Sequence, residues 1–239
     1  MINKKEHFDE SYYREWLCDR YTFNEERKSI VKHYLSIVLK RKGEIRKILD
    51  IGCGFGYFLN ACLEAHIPEV YGIEISPTAL KYAKNIKNVN VNIVDISKDK
   101  TPFESDFFDV ITAFDVIEHV HINREKTFFY EVFRILKKGG LIFFVTPNGD
   151  SIPRDIYMKL IYGKDDPTHI NINGWKHWRD LLHIIGFNKI DIKGTLIHGF
   201  PPTTYLRGKF KKMSIVKPIL FPIQYASKIL DRLFIFATK

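Results

Sequence analysis

The sequence predicts a doubly wound α/β fold, in which helices cover both faces of a mostly parallel sheet of seven strands. Two observations indicate this fold. Short apolar runs alternate with segments of helical periodicity from residue 45 to residue 192, as in successive βαβ units. The run at residues 141–146 is apolar on both parities, which is typical of a strand buried on both faces. With 239 residues, 45% of them hydrophobic, the chain can form a complete core.

The predicted elements follow one another in a regular order. Residues 24–42 form a helix, because apolar residues recur at helical spacing and Gly43 supplies a C-terminal stop. A later helix at residues 175–185 ends at Gly186, and a C-terminal helical insertion precedes the last strand. The strands are predicted at residues 47–51, 70–75, 89–94, 108–114, 141–146, 188–192 and 234–239.

The chain divides into four predicted regions, which are an N-terminal helical lid at 1–44, a core at 45–198, a basic amphipathic insertion at 199–233 and the last strand at 234–239.

Three cysteines do not suffice for a disulfide framework in a chain of this size. The N-terminus has no apolar signal segment, and no window approaches the roughly 20 apolar residues of a membrane span. We therefore expect a cytoplasmic protein.

Basic charge is concentrated in the C-terminal part of the chain. Residues 193–239 contain nine lysines and arginines and one acidic residue. Between residues 205 and 233 these cations are mixed with large apolar side chains, as in interfacial amphipathic segments. We expect this segment to contact an anionic membrane surface or a lipid-linked acceptor, which would place the protein at the membrane periphery. Packing of two short helices onto the core is the alternative.

The strongest motif is KILDIGCGFGYFL, at residues 47–59, in which a strand ends, a glycine-rich turn follows and a helix begins. Gly52, Gly54 and Gly56 let a ligand approach the main chain, and the following helix N-terminus favours a negatively charged group. The spacing is G-x-G-x-G rather than the G-x-G-x-x-G of dinucleotide sites. Taken alone, the motif is equally typical of a tight structural turn.

Acidic residues at the ends of the next strands extend this motif. Glu74 ends the second strand about 20 residues downstream, where an acid accepts hydrogen bonds from both hydroxyls of a ribose. Asp95 ends the third strand, where an adenine amino group can be bound, and the fourth strand continues into DVIEHV at residues 115–120. Because these signals share the carboxyl edge of one sheet, they predict a nucleoside site there.

With these motifs, the sequence resembles the class I S-adenosylmethionine-dependent methyltransferases, closely over residues 45–148 and more loosely over 165–192. DVIEHV, LKKGGLIFFVTPN and DPTHIN followed by GWKHWRDLLHIIGF are similar to segments of the ubiquinone-biosynthesis O-methyltransferases. The resemblance implies a Rossmann-like methyltransferase fold and S-adenosyl-L-methionine as cofactor. The fourth strand is not followed by N-P-P-[YF], which disfavours amino-group methylation of adenine or glutamine.

The resemblance also implies individual cofactor contacts. An acid and the glycine turn would hold the methionine part, the second-strand acid the ribose, and the third-strand acid with two isoleucines the adenine. An aromatic residue at the end of the fourth strand would present its backbone carbonyl to the cofactor's amino group. These positions are Asp50, Gly52, Gly54, Gly56, Glu74, Ile75, Asp95, Ile96 and Phe114.

Two histidines are candidate general bases. His119 follows the fourth strand beside the expected methyl position, and His169 lies in the DPTHIN loop over the same edge of the sheet. Imidazole titrates near neutral pH, which suits proton removal from a hydroxyl. For each residue, the alternative is a structural, hydrogen-bonded histidine.

Asp115, Glu118, His119 and His169 together form a candidate site for a divalent metal ion. Carboxylates and imidazoles bind Mg²⁺, Mn²⁺ or Zn²⁺, and such an ion would lower the pKa of an acceptor hydroxyl. A similar arrangement occurs in the small-RNA 2′-O-methyltransferases. Relatives with the same D-V-I-E-H motif and no evident metal requirement provide the alternative.

Three interpretations of function follow from the sequence. The first is an O-methyltransferase acting on a hydroxyl of a small molecule, a glycan or a lipid-linked precursor. The second is an RNA 2′-O-methyltransferase, which the basic ends favour and the acidic middle of the chain disfavours. The third is a non-catalytic cofactor-binding subunit, for which the intact glycine turn, Glu74 and Asp95 give no support.

Overall fold

The fold is seen in a computed structural model, which describes Phe8 and residues 25–151, 167–195, 220–222 and 232–239. Helices and strands alternate through the core, as the apolar runs predict. The helices are α1 (Glu25–Lys42), α2 (Tyr57–Glu64), α3 (Pro77–Ala83), α4 (Glu125–Ile135) and α5 (Trp175–Ile185). The strands are β1 (Lys47–Ile51), β2 (Glu69–Glu74), β3 (Val89–Ile93), β4 (Phe108–Phe114), β5 (Leu136–Pro147), β6 (Asn188–Thr195), β7 (Leu220–Pro222) and β8 (Arg232–Thr238).

The described strands form one sheet in the order β3-β2-β1-β4-β5-β8-β6-β7. The first five strands in this order are parallel, while β8 runs antiparallel to both β5 and β6. The direction of the strand order reverses between β1 and β4, and ligands of open α/β sheets bind outside the carboxyl ends at such a switch point. The predicted doubly wound, mostly parallel sheet of seven strands is confirmed, and β7 adds a short eighth strand.

Apolar side chains cover both faces of the sheet. On β8, Leu233 and Ile235 belong to the core on one face, together with Trp178 of α5. Phe234 and Phe236 alternate with them and pack on the opposite face, with Tyr34 of α1. Because successive strand residues point to opposite faces, this alternation places helices on both sides of the sheet.

The C-terminal segment differs from its predicted boundaries in two places. β8 begins at Arg232, two residues before the predicted last strand, and its pairing reaches Pro147 of β5. Residues 220–222, which fall inside the predicted helical insertion, form β7 and pair with β6. Apart from β7 and the first residues of β8, the insertion lies outside the described residues, as does the predicted lid before α1 apart from Phe8. None of the described helices has the length and hydropathy needed to cross a lipid bilayer.

Candidate active site

The glycine turn between β1 and α2 exposes its backbone at Gly54. Gly52 and Gly54 have φ angles of 66° and 53°, in the left-handed region that favours glycine. A Cβ atom on Gly52 would lie 2.5 Å from Cγ2 of Val116, so this position is closely packed. A Cβ on Gly54 would have no heavy atom within 4 Å, so the turn is open on this side. The open side is where a ligand can approach the main chain.

Glu74, at the end of β2, is directed at this turn. Its Oε2 accepts a hydrogen bond from the backbone N of Gly54 at 2.9 Å. Its Oε1 accepts from the backbone N of Ile75 at 2.7 Å and of Ser76 at 2.8 Å. Burial raises the pKa of Glu74, while the three backbone hydrogen bonds oppose the shift. The carboxylate is therefore held in one orientation by its own strand end and the glycine turn.

Asp50 lies one strand away and is almost completely buried. Its Oδ1 accepts a hydrogen bond from Oγ1 of Thr112 on β4 at 2.7 Å. Burial raises the pKa of Asp50 to about 8, which the Thr112 hydrogen bond opposes and the Glu74 charge reinforces. A positively charged ligand nearby would favour the ionised carboxylate, since opposite charge lowers the pKa of an acid.

The pKa of Asp95, after β3, is shifted in the opposite direction to that of Asp50. Its Oδ1 accepts hydrogen bonds from Ser97, at 3.2 Å from the backbone N and 2.6 Å from Oγ. Its Oδ2 lies 2.9 Å from the Lys98 ammonium. Burial would raise the pKa of Asp95, but the Ser97 hydrogen bonds and Lys98 together hold it below its usual value. Asp95 is therefore an ionised acceptor beside the cavity.

A single cavity brings most of the predicted cofactor residues together with one predicted base. Its lining includes Gly52, Glu74, Ile75, Asp95, Ile96 and His119. Asp50, Gly54, Gly56 and the Phe114 side chain do not line it. Phe114 instead packs its ring between Tyr34, at 4.7 Å, and Phe58, at 4.9 Å. The predicted role of Phe114 concerns its backbone carbonyl, which is independent of this packing.

Hydrogen bonds between two loops hold His119 and His169 side by side. His119 ends a 3₁₀ turn after β4, and its Nδ1 lies 3.1 Å from the carbonyl oxygen of Thr168. The carbonyl of Glu118 accepts from the backbone N of Ile170 and of Asn171, at 3.0 and 2.9 Å. The two imidazole rings are consequently 4.8 Å apart between centroids. The structure thus joins the two predicted bases, which are 50 positions apart in sequence.

Three of the four predicted metal ligands form one cluster. Glu118, His119 and His169 each offer a ligand atom, and these atoms lie within 4.8 Å of one another. Oε2 of the buried Glu118 accepts a hydrogen bond from Thr146 at 3.0 Å, while its Oε1 has no hydrogen-bond donor among the described residues. Burial, followed by the charge of Asp115, raises the pKa of Glu118 to about 8.

Asp115 departs from the predicted metal set. It has a positive φ of 56°, and its half-exposed carboxylate forms an ion pair with Arg232 at the start of β8. That orientation leaves Asp115 outside the cluster of ligand atoms. Sequence spacing placed Asp115 beside Glu118 on a helical turn, but the chain leaves β4 through a left-handed residue instead.

Sequence reasoning missed several residues that support the site. Thr112 donates a hydrogen bond to Asp50, while Ser97 and Lys98 hold Asp95. Phe8 lines the cavity beside His119. Ser97 and Lys98 lie two and three residues after Asp95, so local spacing is a signal that could have found them. Phe8 and Thr112 are brought to the site only by the fold.

Comparisons with known proteins identify relatives of the chain. The methyltransferase domain family matches residues 20–192. An uncharacterised protein of Methanocaldococcus jannaschii is 34% identical over 125 residues, which are 51% of this chain and 50% of that protein. The ubiquinone biosynthesis O-methyltransferase of Glaesserella parasuis is 30% identical over 128 residues, which are 50% of this chain and 52% of the enzyme. The chain thus spans about half the length of these curated relatives.

A solved structure shows the same fold over nearly the whole chain. The S-adenosylmethionine-dependent methyltransferase from Archaeoglobus fulgidus has a TM-score of 0.66 and 22% identity, covering 89% of this chain and 94% of that one. S-adenosyl-L-methionine is the cofactor of this class of enzymes. The chain therefore belongs to the methyltransferase domain family, within the class I S-adenosylmethionine-dependent methyltransferases, and resembles the ubiquinone-biosynthesis O-methyltransferases.

Proposed function

We propose that the chain transfers the methyl group of S-adenosyl-L-methionine to a hydroxyl oxygen of a small molecule, a glycan or a lipid-linked precursor. The observation that carries this proposal is the shared cavity of Glu74, Asp95 and His119. Two acids of a kind suited to bind a nucleoside line this cavity together with an imidazole of a kind suited to remove a proton, which supports the proposal. The similarity to ubiquinone-biosynthesis O-methyltransferases supports oxygen as the accepting atom.

The residues around the cavity fit the cofactor. Glu74 keeps lone pairs for the ribose hydroxyls while backbone amides fix its orientation. Asp95 and Ile96 line the part of the cavity assigned to the adenine. Asp50, whose raised pKa falls when a cation is near, suits the charged methionine end. When bound, S-adenosyl-L-methionine supplies a methyl group made electrophilic by the adjacent sulfonium.

His119 is the residue we assign to proton removal. A carbonyl oxygen only accepts hydrogen bonds, so the contact with Thr168 requires Nδ1 of His119 to donate. The neutral ring then keeps its lone pair on Nε2, the atom that can take a proton from an acceptor hydroxyl. His169 lies close enough to bind the same acceptor or to replace His119 in this role.

Methyl-labelled cofactor tests the proposal. The protein is incubated with cell extract, and the labelled product and S-adenosylhomocysteine are quantified by mass spectrometry. We expect His119→Ala to lower turnover by about 100-fold or more while the protein still binds S-adenosylhomocysteine. His183→Ala, on the exposed side of α5, is the matched control and should retain activity. A folded His119→Ala variant with full turnover would exclude His119 as the base.

A second candidate function is RNA 2′-O-methylation with a divalent metal ion. The observation that favours it is the cluster of Glu118, His119 and His169, in which a buried carboxylate oxygen has no donor among the described residues. A metal ion at these atoms would lower the pKa of a bound hydroxyl. The ion pair between Asp115 and Arg232 leaves three protein ligands rather than four.

Chelation and RNA binding separate the two candidates. Turnover that EDTA abolishes and added Mg²⁺ or Mn²⁺ restores would support a metal enzyme, and undiminished turnover in EDTA would exclude one. Retention on RNA that falls steeply with salt concentration would favour the RNA substrate. A labelled 2′-O-methyl nucleoside after nuclease digestion of total RNA would establish it.

We propose a cytoplasmic protein that reaches an anionic membrane surface, and with it a lipid-linked acceptor, through residues 205–233. The excess of basic over acidic residues in this part of the sequence supports the proposal. Flotation with anionic liposomes tests it, with neutral liposomes as the control. Equal flotation by the full chain and by a folded variant lacking the insertion would argue against membrane contact.

A further inference from the structure

Phe8 connects three parts of the candidate active site. Its side chain lines the cavity with Glu74, Asp95 and His119. Its ring stands edge-on to the His119 imidazole, with centroids 5.5 Å apart and planes at 89°. Phe8 also packs against the apolar cluster of Phe55, Tyr57 and Ala79, beside the glycine turn and on the neighbouring helix. One residue from the N-terminal segment therefore touches both the cofactor side and the reaction side.

Ser76 fixes the backbone of Phe8 at this position. Its Oγ donates to the carbonyl oxygen of Phe8 at 2.5 Å and accepts from the backbone N of Ala79, which caps α3. The backbone N of Ser76 donates to Oε1 of Glu74. Ser76 is completely buried, so these bonds are shielded from water. The residue that anchors Phe8 thus also orients the acid assigned to the ribose.

We propose that Phe8 is the residue that closes the cofactor cavity and shields the space beside His119 from water. This inference rests on the function proposed above. An apolar ring in the cavity wall adds contact area to a bound nucleoside and strengthens polar interactions inside by excluding water. Because truncation of the ring removes contacts with the bound ligand, it should act mainly on the dissociation rate.

Truncation of Phe8 in the full chain tests the inference, with S-adenosylhomocysteine as the probe. We expect Phe8→Ala to raise the dissociation rate and the dissociation constant by about tenfold, and Phe8→Leu to give an intermediate change. Rates come from stopped-flow measurements, and dissociation constants from calorimetry. Tyr130→Ala removes an exposed aromatic ring from α4 outside the cavity lining and should leave both quantities unchanged.

A double-mutant cycle measures the coupling between the Ser76 hydroxyl and the Phe8 ring. Ser76→Ala removes the anchor of Phe8 and also the side-chain cap of α3. The loss of the cap is common to both Phe8 backgrounds, so it cancels in the cycle. We expect Ser76→Ala to weaken S-adenosylhomocysteine binding several-fold when Phe8 is present and to have little further effect in Phe8→Ala.

The ring contact itself has a spectroscopic signature. The His119 ring protons, assigned through His119→Gln, should shift in the NMR spectrum when Phe8→Ala removes the neighbouring aromatic ring. A general loss of structure would shift many resonances, whereas this change should stay confined to the cavity.

The outcomes distinguish this inference from the proposed function. If the wild-type chain does not bind S-adenosylhomocysteine, the proposed function fails. If the wild-type chain binds it and Phe8→Ala binds within twofold, Phe8 does not close the cavity while the function stands. Tighter binding by Phe8→Ala would show a side chain that obstructs the cavity and would likewise overturn the inference.

Discussion

Replacement of Glu74 by glutamine tests the assignment of this residue to the candidate cofactor site. The carboxylate accepts three backbone hydrogen bonds, one at Oε2 and two at Oε1. Glutamine has nearly the same shape, but one of its two terminal atoms is an NH₂ group that only donates. The least costly orientation directs this NH₂ at Gly54, since only one backbone donor then loses its acceptor.

The expected magnitude follows from these contacts. A buried donor left without an acceptor costs about 1–3 kcal/mol, so the free energy of unfolding should fall by that amount. A hydrogen bond to a charged group is worth about 1.5–3 kcal/mol, and the ribose would lose at least one. Since 1.4 kcal/mol corresponds to a factor of ten, the affinity for S-adenosylhomocysteine should fall by about ten- to a hundredfold.

Calorimetry with S-adenosylhomocysteine measures the affinity, and urea unfolding measures the stability of the same preparations. Glu69→Gln is the matched control, because Glu69 lies at the opposite end of β2 and pairs with Arg46 and Lys47. Its affinity should equal that of the wild type. A folded Glu74→Gln variant that binds within twofold of the wild type would refute the assignment of Glu74 to the ribose.

Three further predictions concern the turn, the buried acid and the histidine loop. Gly54→Ala should weaken S-adenosylhomocysteine binding at least several-fold in calorimetry, because φ is +53° and the new Cβ enters the open side; unchanged affinity would contradict this. In cofactor-free protein, Asp50 holds a proton up to pH about 8 when folded but only to its ordinary 3.8 when unfolded, so stability falls as pH rises between these values. Asp50→Asn should remove up to about 1.4 kcal/mol per pH unit of that slope in urea unfolding, and an unaltered slope would contradict it. Asn171→Ala should lower the free energy of unfolding by about 1–3 kcal/mol in urea, because the buried Asn171 side chain donates to Glu125 and accepts from Asn173; wild-type stability would contradict this.

The clustering of the strand-end residues could be predicted from sequence because its signals are local. The glycine turn follows β1 directly, Glu74 is the last residue of β2, and Asp95 lies two residues after β3. In such a sheet, the carboxyl ends of neighbouring strands meet at one edge, so the order of elements alone brings these residues together. The structure places Glu74 and Asp95 in one cavity, as that reasoning predicts.

The remaining features depend on contacts between distant parts of the chain. Asp115 pairs with Arg232, which is 117 residues away, and this pairing could not be read from the spacing around DVIEHV. β7 has three residues, and its strand character comes from pairing with β6 rather than from its own propensity. Phe8 reaches the cavity through a hydrogen bond to Ser76, 68 residues along the chain. None of these contacts leaves a local pattern.

Glu74 is held by the sheet, whereas the two histidines of the candidate site are held by loops. Glu74 is oriented by the end of its own strand and by the glycine turn, both of which are part of the sheet. His119 and His169 are oriented by bonds between two loops, through the carbonyls of Thr168 and Glu118. A change in the loop around His169 can therefore move the reaction side while the sheet keeps the cofactor side in place. We expect the identity of the acceptor to follow from these loops and from the N-terminal segment that carries Phe8, since the strand ends supply only the residues proposed to bind the cofactor.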